Sequence, residues 1–198
     1  MDARFAALHL SGGTTELLLC EGDTLTRIGG TLDLHAGQLV DRVGVALGLD
    51  FPAGPALEAL ALHCVNPCGG GLPVCLDHDG LCCHLSGAET QCQRWIREGT
   101  RSAEQIAAEV FDLLARTVAR MLAAASATTE VHQALIVGGV SSSCLLRNQL
   151  FKRLQALRCP VEVRFGEPRY SADNAAGIAW LGMQHWQAET HESAAEPL

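Results

Sequence analysis

The sequence is poor in aromatic residues, in long apolar runs and in positive charge. Aromatic residues make up 5% of the 198 positions. No apolar stretch reaches the roughly 18 residues that span a bilayer, and no basic start followed by an apolar segment marks a signal peptide. These absences predict a cytoplasmic protein with no membrane association. The apolar fraction of 48% is typical of a soluble α/β protein.

Negative charge exceeds positive charge along the chain. Asp and Glu number 22 against 14 Lys and Arg, which gives a formal net charge of −8. An acidic surface repels phosphate backbones. We therefore expect nucleic acid to be bound only through a complex with another protein.

No Cys-x-x-Cys pair occurs, although the chain has nine cysteines. Without a secretory signal these are expected to be reduced thiols. Two hypotheses remain open for the segment 63–92: a zinc-stabilised hairpin, or small apolar side chains buried beside a hairpin. The residues concerned are Cys64, Cys68, Cys75, Cys82, Cys83 and Cys92, with His63, His78 and His84 nearby.

Hydrophobic patterns predict three antiparallel strands over 5–10, 17–20 and 25–28. Asp33 is expected to cap a helix that ends at Gly48, and a proline-rich turn over 52–55 precedes a short helix over 56–63. A second hairpin is predicted at 73–76 and 81–84. A long helix is expected to start near Ser102, where Gln105 completes a capping box.

The remaining pattern is strand, helix, strand, helix. Strands are predicted over 134–137 and 161–165, separated by a helix to about Leu157. A last helix opened by Asp173 is expected to end near Trp186, and 188–198 to form a disordered tail. This order predicts an α/β fold, namely one RNase H-like lobe of the actin-like ATPase superfamily over 1–187. A helical and hairpin segment is inserted at about 49–100.

Several residues suit a nucleotide site. A glycine turn follows a strand at His9-Leu10-Ser11-Gly12-Gly13, where bare N–H groups can face a phosphate. A second pair, Gly138-Gly139, turns from a strand directly into a helix. The Asp41 carboxylate suits ribose hydroxyls, and Gly54 lies between two prolines in a fixed turn. The Asp173 carboxylate can cap a helix or bind a cation.

Other roles for these residues stay open at this point. Asp41 can be a solvated helix residue, and Gly138-Gly139 simply a tight strand-to-helix turn. His9 can be a core histidine, and the serines over 141–143 can be helix caps.

Five motifs in order resemble the TsaD/Gcp family of tRNA threonylcarbamoyladenosine transferases, formerly called O-sialoglycoprotein endopeptidases or glycoproteases. The similarity runs from about Phe5 to His185 and matches the C-terminal two-thirds of that family. The motifs lie at 11–16, 31–42, 48–55, 138–147 and 171–176, reading SGGTTE, TLDLHAGQLVDR, GLDFPAGP, GGVSSSCLLR and SADNAA.

The resemblance implies a reaction and a set of ligands. A threonylcarbamoyl-adenylate donates its carbamoyl group to an adenine amine in tRNA, with an adenine nucleotide and a divalent metal (Fe, Zn or Mg) as cofactors. The same resemblance implies that the loop 9–13 contacts this donor. It also implies that Asp41 and Gly54 hold the ribose and threonyl-adenylate region of the donor. The resemblance also implies that Gly138, Gly139 and Ser143 contact the adenosine and that Asp173 binds the metal.

The chain departs from that family at several positions. Thr14, Ser143, Glu89 and Ala53 stand where the family usually has histidine, asparagine, lysine and glycine. The family's two metal-binding histidines and its first lobe precede the matching segment. We therefore expect the isolated chain to lack the metal site, and a TsaB-like paralogue or the missing N-terminal lobe to complete the cleft.

Two alternatives to the transferase remain at this stage. One is a non-catalytic nucleotide-binding or scaffold paralogue. The other is a glycoprotease, which is disfavoured because no Ser-His-Asp order and no His-Glu-x-x-His motif occurs.

Overall fold

A computed structural model describes residues 3–65, 71–167 and 175–193. Within these ranges the chain forms seven strands, six α-helices and a short 3-10 helix at Gly139–Ser142. The strands are β1 Arg4–Leu10, β2 Thr15–Glu21, β3 Thr24–Thr31, β4 Cys75–Leu76, β5 Cys82–His84, β6 Gln133–Val137 and β7 Glu162–Phe165. The helices are α1 Ala36–Ala46, α2 Gly54–Leu62, α3 Ser86–Glu98, α4 Ala103–Thr129, α5 Cys144–Ala156 and α6 Ala175–Ser193.

The strands form one mixed sheet in the order β4-β5-β3-β2-β1-β6-β7. Strands β1, β2 and β3 are antiparallel, as the sequence predicts, and β6 and β7 add in parallel beside β1. The parallel pair needs the crossover helix α5, which explains the alternation of strand and helix in the C-terminal half.

Burial alternates along strand β1. Ala6, Leu8 and Leu10 are buried, whereas Phe5 and His9 on the other face are only half-buried. A period of two places these sets on opposite faces of the sheet. The buried face packs against the helices, and α4 contributes the largest share of the core.

One predicted feature of the first helix region is wrong, namely the role of Asp33. Asp33 does not cap α1, whose first turn begins after His35. The Asp33 carboxylate instead accepts hydrogen bonds at the start of α3, from the Leu85 N–H at 2.8 Å and the Ser86 hydroxyl at 2.5 Å. Helix α3 was not predicted, because its apolar residues are few and its N-terminal cap comes from a distant part of the chain.

The C-terminal helix is longer than expected, since it runs to Ser193 and not to about Trp186. Asp173 and the residues 194–198 lie outside the described residues. Among those described, no helix combines the length and the apolar character that crossing a membrane requires.

Two cysteines of the segment 63–92 behave as apolar side chains. Cys83 and Cys92 are buried in the core, and burial raises the pKa of each thiol to about 12. Such thiols stay protonated at neutral pH. Across the described ranges no group of three or more His, Cys, Asp or Glu side chains could hold a metal ion, and Cys68 lies outside them. The zinc hypothesis therefore has no support there, and burial accounts for these two cysteines.

Candidate nucleotide-binding site

Four separate segments meet at a cavity of about 370 Å³. They are the turn after β1, the helix α1, the start of α2 and the segment that leads from β6 into α5. A cavity of this size is in the range of small-ligand sites. Its lining includes five of the ten residues predicted to contact a nucleotide, namely Gly12, Asp41, Gly54, Gly139 and Ser143.

The turn after β1 lies directly on α1. The Gly37 N–H donates to the Ser11 carbonyl at 3.0 Å, and a Cβ at Gly37 would lie 2.5 Å from the Gly12 nitrogen. Only glycine at position 37 lets the two backbones approach this closely. The Ser11 hydroxyl accepts from the Thr14 N–H at 3.0 Å and stabilises the turn. The position of Gly12 in the cavity is thereby fixed from both sides.

In the second glycine turn, Gly138 and Gly139 have different roles. Gly138 has φ +99°, and a Cβ there would lie 2.3 Å from the Leu10 carbonyl oxygen. Gly138 is therefore needed to pack the end of β6 against the end of β1. Gly139 lines the cavity, and a Cβ there would meet no atom within 4 Å. The space next to Gly139 is open to a ligand.

Two half-buried carboxylates line the cavity and also hold its walls together. Asp41 Oδ1 accepts from the Ala53 N–H at 2.8 Å, which ties α1 to the turn before α2. Glu58 Oε1 accepts from the Leu145 N–H at 2.7 Å, which ties α2 to the first turn of α5. Carboxylate oxygens accept hydrogen bonds from hydroxyl groups. The pair suits a polyhydroxyl group such as ribose.

Glu58 was not identified from the sequence. A helical pattern offers a clue, since Glu58 lies one turn after Gly54 and on the same side of α2. This pattern alone does not identify Glu58 as a site residue, because its partner Leu145 is 87 positions away in the sequence.

Ser143 has both of the roles considered for it. Its hydroxyl accepts from the Leu146 N–H at 3.1 Å, so it caps α5, and it also lines the cavity. The cap leaves the hydroxyl hydrogen free to donate to a ligand.

The remaining predicted residues support the cavity and do not line it. Leu10 is buried in the core, and Ser11 shapes the turn. His9 lies on the half-buried face of β1, with its ring near Gly138. Gly13 and Gly138 flank lining residues. Whether any of these contacts a ligand stays a prediction.

An open groove of about 650 Å³ continues from Gly12 and Asp41 towards α3. Its lining includes Phe51, which is 75% exposed, and Glu89. The Glu89 carboxylate accepts from the Gln93 amide at 3.3 Å. The groove lining carries two carboxylates, Asp41 and Glu89, and one guanidinium, Arg42.

A metal ion is the part of the expected site for which the described residues offer no support. Their side chains contain no group of three or more suitable ligands, and Asp173, the predicted ligand, lies outside them. A divalent cation needs several protein or water oxygens. We derive no step through a metal.

The fold is similar to that of a solved protein, HypF. In its phosphate- and nucleotide-bound form, full-length HypF matches 85% of this chain and 31% of its own, with a TM-score of 0.68 and 13% identity. This similarity confirms the predicted fold, an α/β RNase H-like lobe.

Sequence comparison defines the family. The family model for TsaD, tRNA N6-adenosine threonylcarbamoyltransferase, matches residues 3–180. A tRNA N6-adenosine threonylcarbamoyltransferase of Chlorobium phaeovibrioides is 32% identical over 192 residues, covering 89% of this chain and 55% of the relative. A probable bifunctional tRNA threonylcarbamoyladenosine biosynthesis protein of Methanothermobacter thermautotrophicus is 32% identical over 177 residues, covering 89% of this chain and 32% of the relative.

The chain therefore belongs to the TsaD family. It spans about a third to a half of the length of these curated relatives. Their names favour the tRNA-modification hypothesis over the scaffold and glycoprotease hypotheses.

Proposed function

We propose that this chain is the nucleotide-holding lobe of a tRNA-modifying transferase, in which a threonylcarbamoyl group passes from its adenylate to an adenine amine in tRNA. The observation that carries the proposal is the convergence of Gly12, Asp41, Gly54, Gly139 and Ser143 on one cavity. These residues come from four separate segments, and each matches a position implied by the family resemblance.

The cavity suggests how the adenylate is held. The ribose hydroxyls donate to Asp41 and Glu58, whereas the N–H groups of the turn at Gly12 face the phosphate. The adenosine lies against Gly139 and Ser143. In the transfer, the amine nitrogen bonds to the carbamoyl carbon, and the bond from that carbon to the phosphate oxygen breaks. AMP leaves with the electron pair and takes up the proton that the amine loses.

Holding the donor is the contribution assigned to this chain. A bound and oriented donor turns a bimolecular reaction into an effectively unimolecular one. We propose that a TsaB-like paralogue, or a lobe corresponding to the unmatched part of the relatives, completes the cleft and presents the tRNA.

Calorimetry with AMP tests the site. Asp41→Asn keeps an oxygen for the Ala53 N–H but loses the charge, so AMP affinity should fall about tenfold, as expected for a lost hydrogen bond to a charged group. The matched control is Asp50→Asn, which changes an exposed carboxylate outside the cavity and should leave affinity unchanged. Equal affinity in wild type and Asp41→Asn would show that AMP does not bind here.

Reconstitution tests the reaction itself. The chain is mixed with unmodified tRNA and threonylcarbamoyl-adenylate, with and without the TsaB-like paralogue, and the modified nucleoside is measured by mass spectrometry. Product is expected only in the mixture with the paralogue. Product from the chain alone would disprove the need for a partner, and AMP binding without product in either mixture would disprove the transferase activity.

A further inference from the structure

Beside the β4–β5 hairpin, a cysteine and a histidine of the hairpin lie near Asp33, which follows β3, and none of the three lines the nucleotide cavity. Cys75 and His84 are directly opposite each other in the antiparallel pair. Residues in this relation point to the same face, with Cβ atoms about 5 Å apart. The register of the hairpin therefore brings a thiol and an imidazole side by side.

The imidazole is held by a carboxylate. His84 Nδ1 lies 3.4 Å from Asp33 Oδ2, and Asp33 is fixed in turn by the Leu85 N–H and the Ser86 hydroxyl. A carboxylate on Nδ1 leaves Nε2 as the ring atom that can take a proton from the thiol. The three groups therefore follow one another in the order thiol, imidazole, carboxylate.

Cys75 and His84 line a common cavity of about 420 Å³. Gly87, Gln91 and Trp95 form its wall on α3, at intervals of four residues. Glu89 and Gln93, which line the groove beside the nucleotide cavity, lie on the other side of α3 because two positions along a helix turn the side chain by about 200°. The two cavities are therefore separate sites.

Three further features favour a reactive thiol. Cys75 is exposed, unlike Cys83 and Cys92. Its thiol donates a weak hydrogen bond to the Pro73 carbonyl at 3.9 Å, which rotation of the side chain breaks. The N-terminal end of α3 lies at the same cavity, where its dipole stabilises negative charge.

We propose that Cys75 is a nucleophile that takes small activated acyl groups as a thioester, with His84 as its base and Asp33 as the residue that positions the ring. The thiol proton passes to His84 Nε2, and the sulfur bonds to the acyl carbon. The bond from that carbon to the leaving group breaks, and the leaving group departs with the proton from His84. This site is independent of the proposed transferase function.

The test uses p-nitrophenyl acetate with the full chain. The wild type should release a burst of about one equivalent of p-nitrophenol per chain, and peptide mapping should place the acetyl group on Cys75. Cys75→Ala should abolish the burst. His84→Asn should slow acylation about 100-fold, in the range of general-base effects. His78→Asn, an exposed histidine at the tip of the same hairpin, is the matched control and should acylate at the wild-type rate.

Other results would overturn the proposal. A burst that persists in Cys75→Ala, or an acetyl group found mainly on the exposed Cys144, would exclude Cys75 as the nucleophile. An unchanged rate in His84→Asn would exclude the imidazole as its base.

Asp33 also caps α3, so its variant needs a readout of folding. Asp33→Asn should slow the acylation of Cys75 while the buried Cys92 on α3 stays protected from iodoacetamide. Labelling of Cys92 in that variant would show that Asp33 only stabilises α3, and the positioning role would be wrong.

Discussion

Two adjacent glycines, Gly138 and Gly139, have different physical roles. Gly138 has a backbone conformation that other residues adopt only with strain, and its missing Cβ makes room for the Leu10 carbonyl. Gly139 has open space beside it and faces the cavity. Gly138 is needed for backbone packing, and Gly139 leaves space for a ligand.

Alanine at each position should separate these roles. Gly138→Ala is expected to lower the free energy of unfolding by about 2–4 kcal/mol, because it combines strain at positive φ with a backbone clash. Gly139→Ala should change that free energy by less than about 0.5 kcal/mol and should weaken AMP binding. Urea unfolding and calorimetry measure the two effects. Similar stability of both variants would contradict this assignment.

The family resemblance implied Asp41, Gly54 and Gly139 as site residues, and all three line one cavity in the structure. They were identifiable because each stands in a short local motif. Glu58 was missed because it contacts α5 across a gap in sequence that no local pattern spans.

At the scale of elements, Asp33 joins β3 to α3. Burial works to raise the pKa of Asp33, but hydrogen bonds from the Ser86 hydroxyl and from the N–H groups of Leu85, Leu34 and Ser86 lower it to about 2. The folded state therefore favours the ionised carboxylate relative to the unfolded chain, where the ordinary value is 3.8. The ionised Asp33 carboxylate stabilises the folded state fully at pH values above 3.8. This stabilisation is lost as the pH falls towards about 2.

Asp33→Asn should accordingly cost about 1 kcal/mol of unfolding free energy at about pH 5, the usual value of a helix cap, and much less near pH 2. Urea unfolding of the wild type and the variant at both pH values measures this difference. Asp79→Asn, an exposed carboxylate in the hairpin turn, is the control and should show no such change. A cost in Asp33→Asn that does not change with pH would argue against the ionised cap.

Helix α4 buries an acidic side chain that holds a neighbouring loop. Glu109 is 1% exposed, and it accepts from the Arg101 guanidinium at 3.0 Å and from the Gly71 N–H at 2.9 Å. It also accepts from the Leu72 N–H at 3.3 Å. Removing the carboxylate leaves the arginine charge and two N–H groups without this partner.

Glu109→Ala should therefore lower the free energy of unfolding by about 3 kcal/mol, as expected for a broken buried ion pair. The matched control is Glu98→Ala, which breaks an exposed pair with Arg94 and should cost less than about 0.5 kcal/mol. Thermal or urea unfolding distinguishes the two. Equal costs would show that the buried network contributes nothing beyond a surface pair.

At the scale of the whole molecule, charge opposes direct contact with RNA. The net charge of −8 repels the tRNA backbone, and protein–nucleic acid affinity depends mainly on neutralising phosphates. The chain alone should not retain tRNA in a filter-binding assay at about 0.15 M salt, where non-specific binding is already weak. Salt-sensitive retention by the chain alone would contradict the expectation that a partner holds the tRNA.

Apart from helix α3, the order of the elements and their buried faces followed from the sequence, because the periods of strands and helices are local properties that each segment carries in its own residues. The fold class and the glycine turns were predictable for the same reason. Tertiary structure alone decided which distant segments meet: Asp33 at the start of α3, Glu58 at α5, and Cys75 opposite His84. These contacts depend on strand register and helix packing, which the whole chain sets together and which no single segment encodes.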